Sequence, residues 1–140
     1  MGVAIRVDQI PELDELIDLY DSVGWTAYTR DPETLRRAMT GSSRVVTAHD
    51  GDRLVGLARI ISDGASIAYL QDVLVRPTMQ RRGIGRLLVH TVFEPYATVR
   101  QHVLITDADP RQRAFYESLG FTEVRALGPS PGRAFVRFRS

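Results

Sequence analysis

Gln80-Arg81-Arg82-Gly83-Ile84-Gly85 places an amide and two guanidinium groups directly before a pair of glycines. Residues of these types in that order suit the capture of an anion. A helix starting at Gly83 leaves its first N–H groups without internal acceptors, and its aligned peptide dipoles add about half a positive elementary charge at that end. Glycine carries no Cβ, so a ligand can approach the backbone closely. Together these features describe a site for a pyrophosphate, with Arg81, Arg82 and Arg86 supplying positive charge around it. A nucleotide P-loop needs a lysine and a hydroxyl after its second glycine, where this chain has Arg86-Leu87. A dinucleotide fingerprint needs a third glycine, where Leu88 stands.

A second group of polar residues interrupts an apolar strand. Gln71 and Asp72 lie within Ser66 to Arg76, and strict alternation predicts one on each face of the sheet. A carboxylate in such a strand has to be hydrogen-bonded or functional. Asp72 therefore either relays a proton or fixes the loops around it. The histidines His49, His90 and His102 are far apart and show no metal-ligand spacing, so each is expected on a strand or helix surface. The chain has no cysteine, which removes disulfides, thiolate catalysis and cysteine zinc sites together. No metal site is expected.

The elements that position these residues follow from periodicity. Val3 to Val7 reads as an opening strand. Ile10, Leu13, Ile17 and Tyr20 recur at helical spacing, and Gly24 ends that helix. Asp31 and Pro32 cap and open a second. Ser43 to His49, Leu54 to Ser62 and Ser66 to Arg76 alternate as an antiparallel meander, broken by Asp50-Gly51-Asp52 and Asp63-Gly64. Pro77 stops the third strand, and a helix from Gly83 carries Ile84, Leu87 and Leu88 on one face. Val103 to Thr106 is a short buried strand, and Asp109-Pro110 starts a last helix that Gly120 ends. Phe121 to Leu127 and Ala134 to Arg139 read as two final strands. The unit strand–helix–strand around Gly83 requires a crossover and parallel pairing. No repeat or linker divides the chain, so residues 1–140 are expected to form a single domain.

Composition narrows the function. The chain has 140 residues and a formal net charge of +1, which argues against a nucleic-acid glove. All of its basic residues are arginine, leaving no lysine to act as a base or to form a Schiff base. No apolar run approaches the ~20 residues needed to cross a bilayer, and no signal-peptide core precedes Arg6. A cytoplasmic protein with no membrane partner is expected.

Gln80-Arg81-Arg82-Gly83-Ile84-Gly85-Arg86-Leu87-Leu88 after Val75-Arg76-Pro77, followed later by Phe115-Tyr116-Glu117-Ser118-Leu119-Gly120-Phe121, resembles the signature of the GNAT superfamily of acyl-CoA-dependent N-acetyltransferases. The resemblance implies an α+β (mixed α/β) fold, with a central, mostly antiparallel sheet of about seven strands flanked by four helices. It implies acetyl-CoA as acyl donor and direct transfer to a primary amine, a small molecule being favoured over a protein amine. Residue by residue, Val73 and Val75 would contact the pantetheine arm through their backbones, and a Val73 or Leu74 N–H would face the acyl oxygen. Gln80, Arg82, Gly83, Ile84 and Gly85 would hold the pyrophosphate. Tyr116 matches a tyrosine often assigned as general acid. With Phe115 facing the core to meet Leu119, Tyr116 is turned ~100° around the helix. Ser22 to Thr29 would wall the acceptor pocket, where Trp25 and Tyr28 can hold an amine by cation–π contact or stack against an aromatic acceptor, the alternative being that Trp25 plugs the loop onto the core. Gln71 is a further substrate-binding candidate. Gln71 stands where some relatives carry a glutamate, so the base is left open. The resemblance also implies a possible homodimer. A non-catalytic acyl-CoA sensor and an RNA-directed acetyltransferase are the competing readings.

Overall fold

Three consecutive segments rich in β-branched and aliphatic residues fold back on one another because each gap between them is a short turn of Asp and Gly. The computed structural model describes residues 2–139; Met1 and Ser140, at the two ends of the expected domain, lie outside the described residues. Two compact units are distinguished, residues 1–105 and 106–140.

The first unit holds a five-stranded sheet in the order β1-β2-β3-β4-β5, formed by β1 (Ala4–Val7), β2 (Arg44–Asp50), β3 (Arg53–Ser62), β4 (Ile67–Val75) and β5 (Gln101–Leu104). The first three pairings are antiparallel, and β4 pairs with β5 in parallel. The sheet therefore has five strands rather than about seven. Helices α1 (Leu13–Ser22) and α3 (Pro32–Gly41) cover one face. There Leu16, Leu19, Tyr20, Leu35 and Met39 meet Val45, Leu54, Leu57 and Leu74 in a core from which water is excluded, each large side chain contributing roughly 1.5–3 kcal/mol on burial. The Asp31 side chain accepts from Thr34 N–H at 3.2 Å, and Pro32 follows it, as the sequence predicts. Between α1 and α3 the expected open connection contains one helical turn, α2 (Thr26–Thr29).

The helix α4 (Ile84–Phe93) supplies the crossover between β4 and β5 and lies on the other face. Its seat is Gly56 in β3, where an added Cβ would stand 3.0 Å from Leu88 Cδ1 and 3.4 Å from Ile84 Cγ2. That spacing leaves no room for a methyl group without movement.

In the second unit, α5 (Pro110–Ser118) is capped by Asp109, whose side chain accepts from Arg111 N–H at 2.9 Å. It ends at Gly120, with φ of +94°, and Phe121 N–H donates to Tyr116 C=O at 3.0 Å. The two strands expected after it are absent among the described residues. Val124–Ala126 forms a 3-10 turn, and Phe135 and Phe138 are 87% and 91% exposed. Alternation in a sequence records only that a segment suits a pleated surface. A strand exists where backbone partners are found, and residues 134–139 make no ladder. No helix among the described residues is long and apolar enough to cross a membrane.

Candidate active site

The opening of α4 is built from backbone. Gly83 is the residue before the helix and takes φ of +79°, a conformation natural to glycine. No side chain caps the helix there. A Cβ placed on Gly83 meets nothing within 4 Å, so the space before the first turn is clear. Arg81 also has positive φ, +64°, and Arg81 and Arg82 are exposed. A cleft of about 330 Å³ is lined by Gly2, Val3, Asp50, Met79, Arg82, Gly83, Ile84 and Leu87. Ile84 is buried beneath the opening and Gly85 is half-buried. Gln80 ties this loop to the sheet, its amide donating to Val75 C=O at 3.0 Å.

The second component is the free edge of β4. Parallel pairing with β5 runs from Ile67↔Gln101 to Leu70↔Leu104 and stops there, while pairing with β3 continues to Val75. Arg76 N–H donates to Val55 C=O at 2.8 Å. Backbone groups alternate in direction along an antiparallel ladder. Arg76 and Leu74 therefore face β3, and the N–H and C=O groups of Val75 and Val73 face the edge that β5 has left. Of the two amides considered for an acyl oxygen, Val73's is on the open side and Leu74's is not.

The third component is a polar cluster on the α1 face of the sheet. Asp72 is 3% exposed. Its Oδ2 accepts from Arg59 Nε at 2.6 Å and from the Tyr20 hydroxyl at 3.0 Å, and its Oδ1 accepts from the Tyr28 hydroxyl at 2.8 Å. Gln71 Nε2 donates to the Tyr28 oxygen at 3.3 Å, and Arg59 Nη2 approaches it at 3.4 Å. Gln71 and Asp72 thus converge on one hydroxyl instead of lying on opposite faces. The cause is a register shift: Arg59 pairs with Asp72 and Ile60 with Leu70, so Gln71 is the extra residue of a bulge, and a bulge resets the pleat. Trp25 completes the wall, its ring centroid 6.0 Å from Tyr20 and 6.4 Å from Tyr28, and Arg59 lies 5.9 Å from the Tyr28 ring centroid.

The electrostatics of the cluster are closed. Burial opposes the Arg59 charge, yet the adjacent Asp72 carboxylate holds the guanidinium above its usual range. Burial, then the Asp72 charge, raises the phenols of Tyr20 and Tyr28, so both stay protonated and act as donors. Arg59 and Tyr20 are site residues that the motifs do not point to. Arg59 had a signal, a lone cation among Leu54, Val55, Leu57, Ile60 and Ile61. Tyr20 had none, since it fits the apolar stripe of α1.

Tyr116 belongs to the second unit, apart from these three components in the chain. It is the buried residue of α5, and Phe115 is only half-buried, the reverse of the expected arrangement. Burial, then the charge of Asp107, pushes its phenol up to about 12. His49 is buried rather than on the surface, bonded through Nε2 to Thr47 Oγ1 at 2.9 Å. His102 is half-buried and stacks on Phe93, while His90 is exposed. Among the described residues no three His, Asp or Glu side chains are grouped to hold a metal ion.

Comparisons with known proteins identify the family. The family model described as an acetyltransferase (GNAT) domain matches residues 15–139. An uncharacterized N-acetyltransferase, ycf52, of Pyropia yezoensis is 31% identical over 113 residues, covering 78% of this chain and 64% of that protein. The chain thus spans less than two thirds of that relative's length. The chloroplastic serotonin N-acetyltransferase 2 of Oryza sativa is 31% identical over 145 residues, covering 99% of this chain and 69% of that one. Among solved structures, a GNAT-family acetyltransferase of Streptococcus pneumoniae superposes with a TM-score of 0.83 at 30% identity, over 99% of this chain and 100% of the other.

Proposed function

The chain belongs to the GNAT acetyltransferase family, and on that premise we propose that it is an N-acetyltransferase carrying an acetyl group from acetyl-CoA to the primary amine of a small molecule, by direct attack in a ternary complex. One observation carries the reading. The uncapped opening of α4 and the outward backbone of Val73 and Val75 belong to the same unit and are tied together by Gln80. A diphosphate needs the first feature and an extended amide-bearing arm needs the second.

Acetyl-CoA supplies an activated acyl group and a thiolate leaving group. The chain's own residues take the remaining roles. The amides of Gly83, Ile84 and Gly85 hold the diphosphate, with Gln80 beside them, and Arg81, Arg82 and Arg86 balance its charge. Val73 and Val75 align the arm, and the Val73 N–H faces the acyl oxygen, where it stabilises the charge that develops there. Tyr116, whose raised pKa keeps it protonated, donates a proton to the departing sulfur. Trp25, Tyr28 and Gln71 wall the amine. Asp72, whose charge is matched by Arg59, acts as a positioning residue through Tyr28.

The neutral Gln71 favours a second reading, an acyl-CoA sensor that does not transfer. The test is the full chain with acetyl-CoA and a panel of serotonin, phenethylamine, butylamine and a peptide with a free N-terminus, followed by thiol release. Release with a small amine is expected. Tight acetyl-CoA binding with no thiol release on any member would replace the enzyme by the sensor.

A further inference from the structure

The Asp72 cluster has a direction, and the direction has a consequence for the residue at its exposed end. An ionised carboxylate only accepts hydrogen bonds. Tyr28 lies 2.8 Å from Asp72 Oδ1, so its single hydroxyl proton is committed to Asp72. Only lone pairs remain on the Tyr28 oxygen, and its neighbours Gln71 and Arg59 must donate to it. For Gln71 that requirement fixes the amide: Nε2 turns inward to Tyr28 at 3.3 Å, and Oε1 turns the other way. Gln71 is exposed while Asp72 beneath it is buried. The bulge is what brings both to the same hydroxyl.

We propose that Asp72, through Tyr28, locks the Gln71 amide so that its Oε1 is presented beside Trp25 as a hydrogen-bond acceptor for the N–H of the acceptor amine. The inference rests on the reading of this wall as the acceptor pocket. Gln71 is then the residue that orients the amine, and Tyr28 and Asp72 are positioning residues behind it. The pairing of Asp72 with Arg59 compensates the negative charge behind Tyr28. A neutral carbonyl oxygen selects a donor N–H by geometry and does not hold an ammonium ion by charge, which keeps the amine free to lose its proton before attack. An amine that presents an N–H to Oε1 while its carbon skeleton lies on the Trp25 face fits the wall best.

Two measurements test this, one without any acceptor. In the protein alone, NMR of the Gln71 side-chain amide should show protons that exchange with water more slowly than those of an exposed glutamine, and Tyr28→Phe should return them to solvent-like exchange. Solvent-like exchange in the wild type overturns the lock, whatever the transfer assay gives. With phenethylamine as acceptor, Gln71→Met should raise the amine KM about three- to tenfold, the loss of one hydrogen bond, with kcat and the acetyl-CoA KM little changed. Tyr28→Phe should raise the amine KM less, and the double variant should be no worse than Gln71→Met alone, since both act at one atom. Additive effects, or an amine KM unmoved by Gln71→Met in a protein that turns over normally, would refute the proposal and leave the transferase reading standing. Absence of thiol release from the wild type would remove that reading, and slowed amide exchange would still establish the lock.

Discussion

The two walls of the first unit's candidate site are made of different material. The α4 opening is backbone: Gly83 at positive φ, uncapped amides, and arginines that lie exposed around them. The acceptor wall is side chain upon side chain, with Asp72, Arg59, Tyr20 and Tyr28 satisfying one another out of water. A backbone site tolerates exchange of its neighbours provided the chain keeps its path. A closed polar cluster tolerates almost none, because removal of one member strands the rest without partners. Stability is therefore concentrated in one wall and ligand grip in the other.

The sharpest way to break that division is Asp72→Ala. It leaves Arg59 buried without its counter-charge, and urea unfolding should show a loss of about 3–5 kcal/mol. A loss under about 1 kcal/mol would mean that the cluster is not the structural wall. Gly83→Glu is the converse. Its backbone strain costs only about 1–2 kcal/mol, so the variant folds, yet calorimetry should find acetyl-CoA binding at least a hundredfold weaker, as a carboxylate and a Cβ occupy the anion's place. Normal affinity in a folded variant removes the α4 opening as the anion site. Tyr116→Phe alters a residue of the second unit. It should lower turnover at least about tenfold, with acetyl-CoA affinity and stability nearly unchanged; unaltered kcat from pH 6 to 9 removes its role as acid. Arg82→Ala should weaken acetyl-CoA binding only severalfold, and the difference should fade in about 1 M salt, since this guanidinium is exposed. A salt-independent effect would assign it a buried contact. The smallest effect is on alkaline stability. Tyr20 and Tyr28 have raised pKa values in the folded protein, so above about pH 10 the unfolded chain loses protons first and the native state is progressively disfavoured. Below that pH both states keep these protons and the term is flat. Tyr20→Phe should make the decline above pH 10 shallower than in the wild type, and an equally steep decline would place its cause elsewhere.

Local signals in the sequence reached the structure almost unchanged. Asp31-Pro32 and Asp109-Pro110 start helices, Gly120 ends one, and the Asp-Gly turns fold the meander, because each involves residues within four positions of one another. The helix start expected at Gly83 is of the same kind. Alternation along β4 puts Gln71 and Asp72 on opposite faces, whereas the structure brings them together, because the bulge arises only when β4 meets β3, a pairing that no window along β4 contains. The charge of Arg59 stands out in its apolar strand, but its partner is hidden for the same reason, lying thirteen residues away on another strand. The C-terminal segment shows the limit from the other side: residues 134–139 have the alternation of a strand but no ladder, and Phe135 and Phe138 face solvent.

Gly56 gives the interior authority over the loop. The first two turns of α4 rest on that bare Cα through Ile84 and Leu88, and Ile84 is one residue from Gly83. A single methyl added in β3 would require the Leu88 side chain or the Leu74 carbonyl to give by a few tenths of an ångström, while every residue proposed to touch a ligand keeps its identity. The seat of the proposed anion loop is thus set from inside the core, at a position that a survey of contact residues would pass over.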